Sequence, residues 1–98
     1  MLSKRTEDFE HFSTIVEGHI ESYTVPQYGD APVDQIESWT PAQCMDSIKR
    51  YVNRFNTGRR GRLETLRDLI KIAHLAQICF DKMKPSNKER NSIEEGRI

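Results

Sequence analysis

The chain is short of cysteine, of net charge and of long apolar segments. No apolar run is long enough to span a bilayer or to form the core of a signal peptide, so we expect a protein that works in the cytoplasm and not at a membrane. Cys44 and Cys79 are the only cysteines and lack the spacing of zinc ligands, so we expect reduced thiols, in preference to a disulfide, and no metal site. Basic and acidic residues number 15 each, which is atypical of a protein that coats nucleic acid.

The N-terminal third predicts one helix followed by a long loop. Apolar residues recur at helical spacing over about residues 6–21, and Thr6 is a candidate N-cap. Pro26 and Gly29 lie in the following stretch, 23–38, and favour turns and extended backbone. A loop of that length in a small domain is more often functional than idle.

The second predicted helix has clear boundaries. Thr40 is its N-cap, Pro41 its first residue, and Gln43 completes a capping box. Gly58 is suited to the left-handed residue that ends the helix. The residues predicted to form its apolar face are Cys44, Met45, Ile48, Val52 and Phe55.

The third predicted helix begins at Gly61 or Arg62 and ends near Met83. Its apolar residues occupy more than one face, so we expect a partner chain to cover part of it. The expected fold is therefore all-α: an antiparallel helical hairpin with an N-terminal helix and a long loop, in an oligomeric helical bundle. Residues 1–84 form a single helical domain in this prediction, and the polar residues 85–98 form a disordered tail.

A dense basic block spans the turn between the second and third predicted helices. Between Ser47 and Leu63 there are six cations and no acidic residue, and their repulsion, up to about 1 kcal/mol per neighbouring pair in water, indicates an anion nearby. Between Glu17 and Asp46 there are several acidic residues and no Lys or Arg. The anion near the basic block is therefore either a carboxylate of this stretch or a bound ligand. A solvated basic face is the simpler alternative. The six candidate ligand-binding cations are Lys49, Arg50, Arg54, Arg59, Arg60 and Arg62.

The turn itself has the composition of an anion cradle. Glycines at Gly58 and Gly61 flank its arginines, and a helix N-terminus with unpaired N–H groups follows. The GxxxxGK[ST] pattern is absent, which excludes a standard P-loop kinase. The competing interpretation is that the arginines only offset the carbonyl end of the preceding helix.

Four more residues complete the candidate site. Asp68, Lys71 and His74 follow one polar stripe of the third helix, where they either help to bind a nucleotide or form ordinary surface contacts. Tyr28 in the predicted loop is placed to stack on a base or, alternatively, to cover the core.

Three short motifs resemble the small SaV-like phage protein family. They are Pro26-Gln27-Tyr28, Arg50-Tyr51-Val52-Asn53-Arg54, and Asp68-Leu69-Ile70-Lys71 with His74-Leu75. The family has a Pro-x-His-Tyr loop, a Lys-Tyr-x-x-Arg helix and an Asp-Leu-x-Lys helix. One member includes this domain within a podophage deoxynucleoside monophosphate kinase that lacks a P-loop. The likeness covers about residues 23–83.

This chain departs from the family pattern at Gln27, where the family has His, at Ile72, where Ala is usual, and by lacking a Gly-Asn before the second motif. The resemblance implies a phage protein, acting in the infected bacterium, that binds a nucleotide or another phosphate ligand. Mg²⁺ would be the only cofactor, and only with a nucleotide. Phosphoryl transfer is in doubt because of Gln27, and the resemblance supplies no catalytic residue.

Two other functions stay open at this stage. A phage inhibitor or adaptor would bind a host protein through the charge-segregated surface. Nucleic-acid binding is the weaker expectation, because the third helix is too apolar for a recognition helix.

Overall fold

The computed structural model describes residues 2–30, 38–59 and 61–96, and over these ranges the chain is all-α, as predicted. Its elements are α1 (Lys4–His19), a π-helical turn (Ile20–Thr24), α2 (Val25–Tyr28), α3 (Pro41–Thr57), α4 (Arg62–Lys82) and α5 (Asn87–Glu94). We call α1, the π turn and α2 together the N-terminal arm. The arm packs against α4, and α3 packs against α4 along its length.

The hairpin of α3 and α4 has the boundaries predicted from its capping residues. Thr40 accepts a hydrogen bond from the Gln43 N–H at 3.2 Å, and the Gln43 side chain accepts one from the Thr40 N–H at 2.8 Å. Gly58 ends α3 with φ 63°, in the left-handed region that favours glycine. The Cys79 thiol donates to the Pro41 carbonyl at 3.6 Å, so the end of α4 lies beside the start of α3 and the helices are antiparallel.

The N-terminal arm differs from the prediction at both ends. Its N-cap is Ser3, whose hydroxyl accepts from the Thr6 N–H at 3.1 Å, so Thr6 is not the cap. The helix also continues beyond residue 21 to Tyr28 and stops at Gly29, where φ is 86°. The loop predicted from residue 23 is therefore wrong for residues 23–28, and residues 31–37 of that loop lie outside the described ranges.

The π turn explains how a helix passes through Pro26. A proline ring clashes with the carbonyl four residues earlier in a regular α-helix and offers no N–H to it. The wide turn lies just before this position, and the Val25 N–H bonds to the Ile20 carbonyl five residues back. Opening one turn relieves the clash, so Pro26 widens the helix and does not end it.

Burial in the hairpin does not follow the predicted apolar stripes. Among the described residues, the buried hydrophobic side chains are Cys44 and Leu75, and the buried polar ones are Ser47 and Asp68. Met45, Val52 and Phe55, which were expected on the core face of α3, are exposed instead. The face of α3 that packs inward is rotated toward Ser47 and Tyr51.

Residues Asn87–Glu94 form a helix within the segment 85–98 that is predicted to be a disordered tail. Ser86 and Glu89 form a second capping box, with hydrogen bonds of 3.0 and 3.1 Å, and α5 follows. The Arg90 guanidinium lies 5.5 Å from the centroid of the Phe80 ring, which places α5 near the end of α4. Apolar periodicity is a poor guide to a short polar helix of this kind, whereas the Ser-x-x-Glu pattern was visible in the sequence.

Two sequence expectations concern the cysteines and the membrane. Cys44 and Cys79 are free thiols in the structure, as expected. None of the helices in the described ranges combines the length and the apolar character that crossing a bilayer requires.

Candidate ligand-binding cavity

A cavity of about 270 Å³ lies between the N-terminal arm and the hairpin. Its walls contain six aromatic or imidazole rings and two cations. The arm contributes His19, Tyr23, Thr24 and Tyr28; α3 contributes Ser47, Arg50 and Tyr51; α4 contributes Lys71, His74, Leu75 and Ile78; and Trp39 precedes α3.

The π turn brings three rings of the arm to the same wall. His19 and Tyr23 are four residues apart, as on any helix face, but Tyr28 follows Tyr23 by five. In a regular α-helix such residues point in different directions, whereas a π turn aligns them. The ring centroids of Tyr23 and Tyr28 are 6.4 Å apart in an edge-to-face arrangement, and the pKa of Tyr28 is raised chiefly by its neighbour Tyr23.

Lys71 reaches the cavity from α4 and lies over two aromatic rings. Its Nζ is 5.5 Å from the centroid of Tyr23 and 5.7 Å from that of Tyr51. Each such contact is worth about 0.5–1 kcal/mol at an exposed site and up to about 2 kcal/mol where water is excluded. Lys71 therefore links the arm to α3 and holds a positive charge at the cavity wall.

Arg50 supplies the second cation. Its guanidinium donates a hydrogen bond to the hydroxyl of the buried Ser47 at 3.2 Å, which fixes the side chain at the cavity edge. Arg50 itself is exposed, and a guanidinium has five donors in a planar fork. Donors are therefore left over for an anionic ligand.

His19 is one of the cavity residues that the predicted site did not include. Its ring stacks on Tyr23 with centroids 5.1 Å apart, and within the described ranges both ring nitrogens are buried without a hydrogen-bond partner. Burial lowers the pKa of His19, with further contributions from Lys71, Arg67 and His74. Burial also lowers the pKa of His74. The one signal in the sequence was the four-residue spacing of His19 and Tyr23.

The structure brings four of the ten predicted ligand-binding residues together in this cavity: Tyr28, Arg50, Lys71 and His74. Asp68 is buried, with 2% of its surface exposed, but does not line the cavity. Arg54 lies 5.2 Å from the centroid of Tyr51 and outside the lining. The others do not converge on the cavity either: Lys49, Arg59 and Arg62 are exposed elsewhere on the hairpin, and Arg60 lies outside the described residues.

The turn predicted to be an anion cradle has a carboxylate beside it. A Cβ built on Gly61 would lie 2.8 Å from Glu64 Oε2, so this side chain folds back toward the N-terminus of α4. A carboxylate at this end of a helix already compensates the positive end of the dipole. The positive end of this helix is therefore already compensated within the chain.

The side chains available at the cavity include imidazoles, phenols, an indole and two cations. Its described lining contains no carboxylate, and no three His, Cys, Asp or Glu side chains in residues 2–30, 38–59 and 61–96 are grouped as a metal site requires. No protein-family model, curated protein or solved structure matches this chain.

Proposed function

We propose that the cavity binds a small phosphate-bearing molecule, and that a nucleotide fits it best. The observation that carries this proposal is the placement of Arg50 and Lys71 on walls made of Tyr23, Tyr28 and Tyr51. Ligand sites in proteins are mostly apolar or aromatic, with a few polar groups that set orientation. At about 270 Å³, the cavity accommodates one small ligand.

The two cations have different roles in this proposal. Arg50 binds phosphate oxygens through two parallel N–H donors, a geometry that lysine lacks. Lys71 acts as a point charge whose position is set by the rings beneath it. A base stacked on Tyr28, whose ring is exposed and has no cation of the described residues over it, would gain about 1–3 kcal/mol.

Binding or sequestration is favoured over phosphoryl transfer. Kinases of known mechanism bind Mg²⁺ through carboxylates and position the nucleophile with another. The described lining of this cavity offers neutral imidazoles, phenols and cations but no carboxylate. A monophosphate kinase activity is tested directly by incubating the protein with ATP, Mg²⁺ and each deoxynucleoside monophosphate.

Thermal unfolding with a panel of ligands tests the binding proposal. Mono-, di- and cyclic nucleotides and inorganic phosphate are added separately, and a ligand at 100 times its Kd stabilises the folded state by about 2.7 kcal/mol. The Arg50→Ala variant should lose this stabilisation. Arg59→Ala is the matched control, because Arg59 belongs to the same basic block but lies outside the cavity. A melting temperature that no member of the panel raises would contradict the proposal.

A phage inhibitor or adaptor of a host protein is the second candidate, because much of the basic block is unused by the cavity. Lys49, Arg54, Arg59 and Arg62 are exposed and outside its lining. Reversing the charge of Arg59 and Arg62 should abolish binding to such a partner and leave nucleotide stabilisation intact. The phage origin and the action in the infected cell are part of this proposal and derive from the sequence motifs.

A further inference from the structure

The side of α4 that faces away from the cavity carries an exposed apolar stripe. Its residues follow steps of three and four in strict alternation, which is the spacing of a heptad seam between packed helices. Leu66, Leu69 and Phe80 are each 40–43% exposed, and Met83 is 66% exposed. The stripe consists of Leu66, Leu69, Ala73, Ala76, Phe80 and Met83.

Helix α3 carries a second stripe with the same spacing. Met45, Val52 and Phe55 are 43–55% exposed, and Ile48 between them is half-buried. Basic and amide side chains flank this stripe. Two heptad stripes therefore run along one hairpin.

Both stripes lie on the same face of the hairpin. At 3.6 residues per turn, the α3 stripe is centred about a sixth of a turn beyond the buried Cys44, and the α4 stripe about a third of a turn beyond the buried Leu75, in the same sense of rotation. Because the helices are antiparallel, the same rotation brings both stripes to one side. The cavity residues Arg50, Lys71 and His74 lie in the opposite sense, on the other side. We call the side with the two stripes the heptad face.

The chain exposes more surface than a monomer of its size. Its accessible area is 7931 Å², whereas a folded monomer of 11.4 kDa is expected to expose about 5,800 Å². The excess is about 2,100 Å² per chain. Twice this area lies within the roughly 2,000–5,000 Å² of total surface that obligate homodimers typically bury. Only two hydrophobic side chains in the described ranges are buried, so a single copy has little core of its own.

We propose that two copies of this chain pair through their heptad faces to form a four-helix bundle. A second copy is the occupant that these observations favour, because the excess area of two chains lies in the range that obligate homodimers bury and a single chain buries few apolar side chains. The small Ala73 and Ala76 in the middle of the α4 stripe leave room for the bulky side chains of a facing α3 stripe. Both cavities then face outward, one on each side of the bundle.

Analytical ultracentrifugation and concentration-dependent melting of the full chain test this pairing. The wild-type protein should sediment at twice 11.4 kDa, and its melting temperature should rise with protein concentration. Leu69→Glu places a charge in the seam and should abolish the dimer or lower its affinity at least 100-fold. Leu63→Glu is the matched control, since Leu63 is on the same helix and 72% exposed but out of heptad phase.

The sedimentation and melting results distinguish a dimer paired through the heptad face from a monomer and from a dimer with another interface. If Leu69→Glu unfolds the chain, the concentration dependence of wild-type melting still reports assembly. A wild-type protein that is monomeric and melts independently of concentration would overturn the pairing and leave the face to a different protein. A dimer lost with Leu63→Glu but retained with Leu69→Glu would place the interface elsewhere.

Discussion

The imidazole of His19 stacks on the phenol ring of Tyr23, with centroids 5.1 Å apart and planes inclined by 28°. This contact keeps both ring nitrogens of His19 out of water at the wall of a cavity that also contains Lys71 and His74. Protonation of His19 would add a third positive charge to a wall that already has Arg50 and Lys71. Burial and the neighbouring positive charge of Lys71 both lower the pKa of His19.

Stability should fall on acidification because of these histidines. The pKa values of His19 and His74 are lower in the folded state than the ordinary value of 6.5, so the unfolded chain binds protons more readily. Their contribution is complete above about pH 6.5 and is lost as the pH falls toward the folded-state pKa values. Chemical denaturation between pH 5 and 8 should show this decrease.

The histidine contribution can be separated from that of the carboxylates. His19→Gln and His74→Gln should each flatten the pH dependence in that range, while His11→Gln, at an exposed position, should leave it unchanged. An unaltered profile in both cavity variants would show that other groups cause the acid sensitivity.

Replacing Lys71 with Gln should weaken both the fold and ligand binding. Its ammonium lies over Tyr23 and Tyr51, so the substitution removes two cation–π contacts that join the arm to the hairpin. We expect the free energy of unfolding to fall by about 1–2 kcal/mol and nucleotide stabilisation to be lost. Lys49→Gln, on the exposed face of α3, is the control, and urea denaturation measures the difference. Equal effects of the two substitutions would contradict the role of Lys71.

The π turn predicts an unusual effect of Pro26→Ala. Without the ring, the arm is free to adopt a regular α-helix, which would rotate Tyr28 away from Tyr23 and out of the cavity. The helix should become no less stable, while ligand affinity should fall about 5- to 150-fold, the equivalent of one lost stacking contact. Calorimetric titration with the best nucleotide measures this change. Pro85→Ala, beyond α4, should leave affinity unchanged.

The two capping boxes should differ in their importance for stability. Thr40→Ala removes the cap of α3, half of the hairpin, and should lower the free energy of unfolding by about 0.5–2 kcal/mol. Ser86→Ala removes the corresponding hydroxyl, which accepts from the Glu89 N–H, from α5, which has few contacts with the rest of the chain, so global stability should change little. Comparable losses in urea denaturation would indicate that α5 is part of the cooperative unit.

The elements predictable from sequence were those whose boundaries are set by local chemistry. Thr40, Gln43 and Gly58 each act through hydrogen bonds or backbone angles within a few residues, so α3 was located correctly. The continuation of the helix through Pro26 was not predictable, because a proline usually marks the end of a helix. The helix continues here only because its backbone hydrogen bonds change to the π pattern just before Pro26. Ser3 and Thr6 are both residue types that favour the N-cap position. The hydrogen bond from the Thr6 N–H to the Ser3 hydroxyl identifies Ser3 as the cap.

The candidate site was predictable only in part. Residues that are close in sequence can have side chains that point to different parts of the surface. Arg50 and Arg54 are one turn apart on α3, yet Arg50 lines the cavity and Arg54 lies outside its lining. His74 was found because it follows a polar stripe, whereas His19 depends on how the arm packs against α4, which periodicity does not reveal. The exposure of the apolar stripes likewise follows from which face of α3 meets α4.

The rate at which the Cys44 thiol is alkylated reports how often the α3–α4 hairpin opens. Its side chain is completely buried between the helices, and burial raises the pKa of its thiol, so two effects protect it from alkylation. Cys79 is partly accessible and should be modified first by iodoacetamide. Modification of Cys44 then requires separation of α3 from α4, and its slow rate, followed by mass spectrometry, measures how often the native hairpin comes apart.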